Sequence, residues 1–203
     1  MSKTAKDLQQ QFRQMSAVDI LSYTTAHYPG KVTFSSSMGA EDQIITHLIS
    51  QLKSPPNIFT LDTGRLFYET YDLIEKTSKR YNIPIQVYFP DTSRVEEMVN
   101  QKGINLFYYS IENRKMCCGI RKTEPLRRAL KGYQIWITGL RREQSPTRQH
   151  LEMAEWDDAN QIIKVHPLLE WTDQEVWDFI KTHGIPYNPL HDHSFPSIGC
   201  QPC

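Results

Sequence analysis

Short apolar runs alternate with amphipathic stretches along this 203-residue chain. Residues 32–34, 57–61, 85–89, 135–138 and 162–165 are rich in Val, Ile, Phe and Thr and read as strands. Helical periodicity covers residues 5–27, 42–52, 66–81, a stretch from Arg94, 121–130 and 172–183. The last of these has the clearest ends: Thr172 and Glu175 form a capping box, and Gly184 with Pro186 supplies the stop. Strands separated by helical crossovers predict an α/β fold, a mostly parallel sheet with helices on both faces. No repeat, low-complexity tract or Gly/Ser linker divides the chain, so residues 1–203 read as one domain. Ligands of such sheets sit at the carboxyl ends of the strands.

Composition narrows the class. With 39% hydrophobic and 11% aromatic residues the chain is globular and long enough to fold without covalent staples. No apolar run approaches the roughly 20 residues of a membrane span, and the N-terminus lacks a secretory apolar stretch. The expected compartment is the cytoplasm. Thiols stay reduced there, so four cysteines point to metal binding or reactivity rather than cross-linking. The zero net charge hides an asymmetry: residues 112–148 carry +7 and residues 149–203 carry −7. A basic segment this short suits a compact anionic ligand better than a nucleic-acid track, although it would also arise from basic surface paired with the acidic end.

Three strand-end loops carry groups suited to an anion. Ser35-Ser36-Ser37-Met38-Gly39 precedes a helix whose dipole and amides favour phosphate or sulfate, though Ser/Gly turns also serve simply as helix starts. Asp62-Thr63-Gly64-Arg65 places a carboxylate, a hydroxyl and a guanidinium on the next loop; as local structure it reads as an Asx turn with Gly64 at positive φ. The loop after residue 138 holds Arg141, Arg142 and Arg148, whose forked guanidiniums suit a phosphosulfate or diphosphate.

The cysteines fall into two pairs, Cys117-Cys118 and Cys200-x-x-Cys203. Two tight pairs imply one metal centre. Adjacent side chains on a helix diverge by about 100°, which is awkward around a single ion and easier around a larger cluster. The spacing favours an iron–sulfur cluster, with structural zinc and a redox dithiol as alternatives. Arg114, Lys115, Arg121 and Lys122 crowd the first pair and would balance thiolate charge.

Ser-Ser-Ser-Met-Gly-Ala-Glu-Asp-Gln at 35–43, Leu-Asp-Thr-Gly-Arg at 61–65, Cys-Cys-Gly-Ile-Arg-Lys at 117–122, Trp-Ile-Thr-Gly-Leu-Arg-Arg-Glu-Gln-Ser at 136–145 and Ser-Ile-Gly-Cys-Gln-Pro-Cys at 197–203 together resemble the assimilatory sulfonucleotide reductases. The double cysteine pair resembles the branch acting on adenylyl sulfate (APS), which holds a four-iron four-sulfur (4Fe-4S) cluster. The resemblance implies a nucleotide-binding fold of the adenine nucleotide alpha hydrolase (PP-loop) type. It implies that Cys117, Cys118, Cys200 and Cys203 ligate the cluster, and that Ser35, Ser36, Ser37 and Gly39 form a modified P-loop. Asp62, Thr63, Gly64 and Arg65 would form a second nucleotide loop, Arg141, Arg142 and Arg148 an arginine loop, and Lys122 would lie between cluster and substrate.

The implied reaction is reduction of APS to sulfite and AMP through an S-sulfocysteine, with thioredoxin or glutaredoxin as reductant. Family members carry the nucleophilic cysteine on a C-terminal tail, and the chain as given stops at Cys203, so a longer enzyme is expected. Rival functions are reduction of the 3′-phosphorylated substrate (PAPS), ATP-dependent thiolation, and a zinc-stapled nucleotide sensor without catalysis. Neither a nucleic-acid nor a membrane partner is expected. The run Phe107-Tyr108-Tyr109 suggests packing or a homo-oligomer contact, Trp171 and Trp177 read as core, and Ser194 would be strained if its φ is positive.

Overall fold

The computed structural model describes residues 3–203. Six strands form one sheet: β1 (Val32–Ser35), β2 (Asn57–Leu61), β3 (Ile85–Tyr88), β4 (Ile135–Ile137), β5 (Ala154–Asp157) and β6 (Ile162–Val165). Their order is β3-β2-β1-β4-β6-β5, and every pairing is parallel except β5 with β6. The central strands are largely buried on both faces, as a sheet covered on both sides requires, with Thr33 and Ser35 on the second face of β1. One face packs Phe34, Ile58, Ile135 and Val165 into the main core with helices α3 (Ala40–Ile49) and α8 (Asp173–His183). On a second cluster, Phe59 and Ile162 meet Ala129 and Leu130 of α7 (Glu124–Leu130). Trp171 and Trp177 pack partly buried against the main core, as expected.

The chain leaves β1 toward β2 on one side, while β4 lies on the other. This reversal makes the carboxyl ends of β1 and β4 a topological switch point, where adjacent loops turn away from each other and leave a crevice.

Several expected elements differ. The predicted helix over 5–27 is two, α1 (Lys3–Phe12) and α2 (Ala17–His27), because the Ser16 side chain accepts from the Asp19 amide while Asp19 caps Ser16 in return. The helix predicted from 66 starts later, as α4 (Tyr68–Tyr81), because Leu66 forms an isolated antiparallel bridge with Cys200. The helix expected from Arg94 begins earlier, as α5 (Thr92–Lys102), because Asp91 caps the Arg94 amide. The helix predicted over 121–130 belongs to a longer helical run. It comprises α6 (Ile111–Cys118), a wide π-turn over Gly119–Thr123, and α7. Strand β5 was not predicted. It leads into β6 through a turn in which Asp157 accepts from the Ala159 and Asn160 amides. Ser194 takes φ 65° at the end of the short 3-10 turn Pro189–His193, the left-handed conformation expected to strain it.

Candidate active site

The first strand-end loop lies at the switch point. Ser35 Oγ accepts from Trp136 Nε1 at 2.7 Å, which ties β1 to β4. The Ser36 amide donates to Phe59 O at 2.8 Å, and its hydroxyl contacts Met38. Met38 is buried at φ 66°, a conformation costly for a side chain of that size. Gly39 caps α3 without a side-chain hydrogen bond, so the N-terminal turn of α3 opens beside this strained loop.

Ser37 turns inward on Asp42. Its amide and hydroxyl both donate to Asp42 Oδ2, at 2.6 and 2.7 Å. Asp42 is buried, and burial pushes its carboxyl up to about 6 against the opposing pull of the Ser37 and Gly139 hydrogen bonds, with Glu41 adding to the rise. Asp42 therefore links the loop after β1 to the loop after β4.

In the second loop, Gly64 N–H donates to Asp62 Oδ1 at 2.7 Å with φ 70°, the predicted Asx turn. Tyr71 donates to the same carboxylate oxygen at 2.9 Å; burial and this bond push its phenol up to about 12. Thr63 O accepts from Arg121 Nη1 at 2.6 Å, and Thr63 Oγ1 lies 3.2 Å from Cys200 Sγ. Arg65 reaches Ile104 O and Asn105 Oδ1 at 2.7 Å and lies over the Phe107 ring. Phe107 is buried in a small core beneath, while Tyr108 and Tyr109 are exposed.

The predicted arginine loop is already engaged by carboxylates. Arg141 is buried and pairs with Glu41, Glu143 and Asp173 at 2.8, 3.2 and 3.1 Å. Arg142 pairs with Glu170 at 2.6 Å and donates to Gln149 O, and Arg148 donates to Gln144. Part of the charge asymmetry between residues 112–148 and 149–203 is thus neutralised inside the fold, and an anion entering here competes with those carboxylates.

The four cysteines line one pocket together with Arg65, Phe107, Arg114, Arg121, Lys122 and Pro202. α6 and its π-turn explain how adjacent cysteines come to share it. Arg121 and Lys122 stand four residues after Cys117 and Cys118, one turn along the same surface. The second pair arrives when the C-terminal segment bridges Leu66, donates Gln201 N–H to Arg65 O at 2.8 Å and turns so that Cys203 N–H reaches Cys200 O. Burial pushes the Cys117 thiol up, Arg121 opposes this, and the other three cysteines push it further.

Four thiols beside basic side chains are a donor set suited to an anionic, sulfur-ligated group, although among the described residues no three Cys, His, Asp or Glu side chains converge on a single ion position. Arg65 Nε is buried without a hydrogen-bond partner, and Lys122 makes no hydrogen bond or ion pair among the described residues. The pocket thus has uncommitted positive charge. The sequence assigns Arg121 to balancing thiolate charge at the first pair, and the structure adds its hydrogen bond to Thr63 O. Its i,i+4 spacing from Cys117 was the signal that it faces the same pocket. Asp42 opens the helix expected over 42–52, and nothing in its sequence context marks it as buried.

Among the described residues no helix is long and apolar enough to cross a membrane. The phosphoadenosine phosphosulfate reductase domain profile matches residues 31–203. The adenosine 5′-phosphosulfate reductase of Allochromatium vinosum is 46% identical over 94% of this chain and 74% of its own length. That of Burkholderia cepacia is 47% identical over 85% and 69%, and adenosine 5′-phosphosulfate reductase 2 of Bacillus subtilis is 41% identical over 92% and 78%. Among solved structures, the phosphoadenylyl-sulfate reductase of Candida auris, in a phosphate complex, superposes with TM-score 0.84 at 27% identity over 99% of this chain and 96% of its own. The FMN adenylyltransferase of Candida glabrata shares the fold alone, with TM-score 0.63 at 19% identity over 98% and 66%. The expected PP-loop-like architecture is thus the one present. With nearly the whole length matched, the chain belongs to the phosphoadenosine phosphosulfate reductase domain family, in the branch whose relatives are named adenosine 5′-phosphosulfate reductase.

Proposed function

We propose that the chain binds APS at the β1/β4 switch point and serves its reduction to sulfite and AMP in sulfate assimilation. The observation that carries this reading is the meeting of two sites at Thr63. The strand-end loop that borders the crevice touches Cys200 with its hydroxyl and holds Arg121 with its carbonyl, so the cysteine pocket and the nucleotide loops share a wall. Relatives at 41–47% identity bear the APS name, whereas the reductase named for the 3′-phosphorylated substrate matches at 27%, which favours APS over PAPS.

Cys117, Cys118, Cys200 and Cys203 would hold a 4Fe-4S cluster, which when bound would supply a structural tie and fixed charge rather than electrons. The N-terminal turn of α3 and the serine loop would take the phosphosulfate, with Ser37 committed to Asp42 and so holding the loop rather than donating to the ligand. Lys122, uncommitted in the pocket, would place its ammonium on the sulfate oxygens and offset charge as the sulfur is attacked. A thiolate forms a bond to sulfur, the sulfur–oxygen bond to phosphate breaks, and AMP leaves. A dithiol of the thioredoxin or glutaredoxin type then attacks the S-sulfocysteine, releases sulfite and is itself oxidised to the disulfide. Because all four cysteines act as ligands in this reading, the attacking thiol is none of these four. The working compartment is the cytoplasm, where such thiols stay reduced.

Calorimetric titration of the chain with APS, PAPS and ATP tests the substrate assignment. APS binding tightest supports it; ATP or PAPS binding tighter, or no binding of APS, overturns it.

A further inference from the structure

His166 is fully buried where β6 ends, in the layer beneath the arginine loop. Its Nδ1 lies 2.7 Å from Thr138 Oγ1, and its Nε2 faces Glu155 Oε1 of β5 at 3.6 Å. Glu155 is held below the usual carboxylate range, first by its contact with this imidazole. Thr138 follows the end of β4. Its hydroxyl also accepts from the Leu140 amide at 3.4 Å, and its own amide donates to Val165 O at 3.0 Å. The backbone of His166 works in parallel: its carbonyl accepts from Leu169 N–H at 3.2 Å, and Leu169 O accepts from Arg142 N–H at 2.8 Å.

We propose that His166 is a positioning residue for the substrate loop: through its hydrogen bond to Thr138 and its backbone contact with Leu169, it fixes the backbone at Leu140 and Arg142. A buried imidazole is expensive unless its nitrogens are used; here Nδ1 is used by Thr138, which leads to the loop after β4, while Nε2 has no hydrogen-bond partner among the described residues and only the charge of Glu155 nearby. With the Thr138 hydroxyl donating to Nδ1, the proton sits on Nε2, on the side of the Glu155 carboxylate 3.6 Å away. Thr138 is then left with lone pairs for Leu140. This inference rests on the reading that the loop takes APS.

The test compares Thr138→Val, His166→Leu and the double variant with the unaltered chain. Two readouts are used: amide hydrogen exchange at Leu140 and Arg142, and APS affinity by calorimetry. Thr138→Val keeps shape while losing the hydroxyl, so it reports even if His166→Leu fails to fold. The expected result is faster exchange at Leu140 in each single variant, APS binding weaker by about tenfold, and a double variant little worse than either single one, as for groups acting through one network. Unchanged exchange and affinity in a folded single variant, or strictly additive losses in the double one, would overturn the proposal. If the unaltered chain itself fails to bind APS, the substrate reading fails, and the exchange comparison alone still decides the role of His166.

Discussion

Asp42 and Gly139 approach so closely that a Cβ placed on Gly139 would lie 2.2 Å from Asp42 Oδ1. Gly139 is therefore required by space. It lets the loop after β4 settle against the carboxylate that already holds Ser37, and the two walls of the crevice are locked to one buried group. Gly139→Ala is expected to lose about 2 kcal/mol of stability and to displace the Ser37 loop. Chemical denaturation checks the first expectation, and APS titration the second.

The same carboxylate gives a pH signature. Its folded pKa of about 6 exceeds the ordinary 3.8, so the folded protein holds this proton more tightly than the unfolded chain. The stabilising contribution is fully present below the ordinary value and is lost as pH rises through about 6. At about 1.4 kcal/mol per pH unit, the loss is about 3 kcal/mol. Denaturation of the unaltered chain and of Asp42→Asn from pH 3.5 to 8 measures it. The difference between them should shift against the unaltered chain between about pH 4 and 6 and stay level above 7.

Arg141 and Arg142 are neighbours with opposite energetic standing. Arg141 and Glu41 are nearly closed to solvent, with side-chain exposures of 5% and 14%, whereas the Glu170 partner of Arg142 is 55% exposed. Arg141→Ala leaves a buried carboxylate unpaired and should cost about 3 kcal/mol. Arg142→Ala should cost less than about 1 kcal/mol. Thermal unfolding of the two variants, side by side, decides whether burial ranks them.

Lys122→Ala should leave the iron content of the protein intact while lowering kcat/KM for APS by about a hundredfold in the catalytically complete enzyme. Unchanged turnover removes the ammonium from the chemistry. Loss of iron makes it a structural residue instead.

Much of this architecture is legible in the chain. Strands β1, β2, β4 and β6 are buried apolar runs, and α8 announces itself by Thr172, Glu175 and Gly184. Strand β5 is not legible because Ala-Glu-Trp-Asp is four residues long, lies at a sheet edge and carries two charges, which reads as loop. α6 buries none of its residues, so no apolar stripe marks it; it depends on the Ser110 cap and on contact with residues 106–108. The break between α1 and α2 was available in Ser16 and Asp19, whose spacing is that of a capping box. At the site, pairing of the cysteines could be inferred from spacing alone, and the structure brings both pairs to one pocket. The arginines show the opposite case. Their residue type suggested an anion, yet Glu41, Asp173 and Glu170 lie about a hundred residues before or thirty after them, and only the fold brings these carboxylates into contact.

The claim on which the mechanism turns is that Cys117, Cys118, Cys200 and Cys203 hold one four-iron cluster. Analysis of iron and acid-labile sulfide in anaerobically purified protein measures this directly. The account predicts about four of each per chain, with both lost in Cys200→Ser. Iron-free protein carrying one tightly bound zinc per chain, or no metal at all, would contradict it.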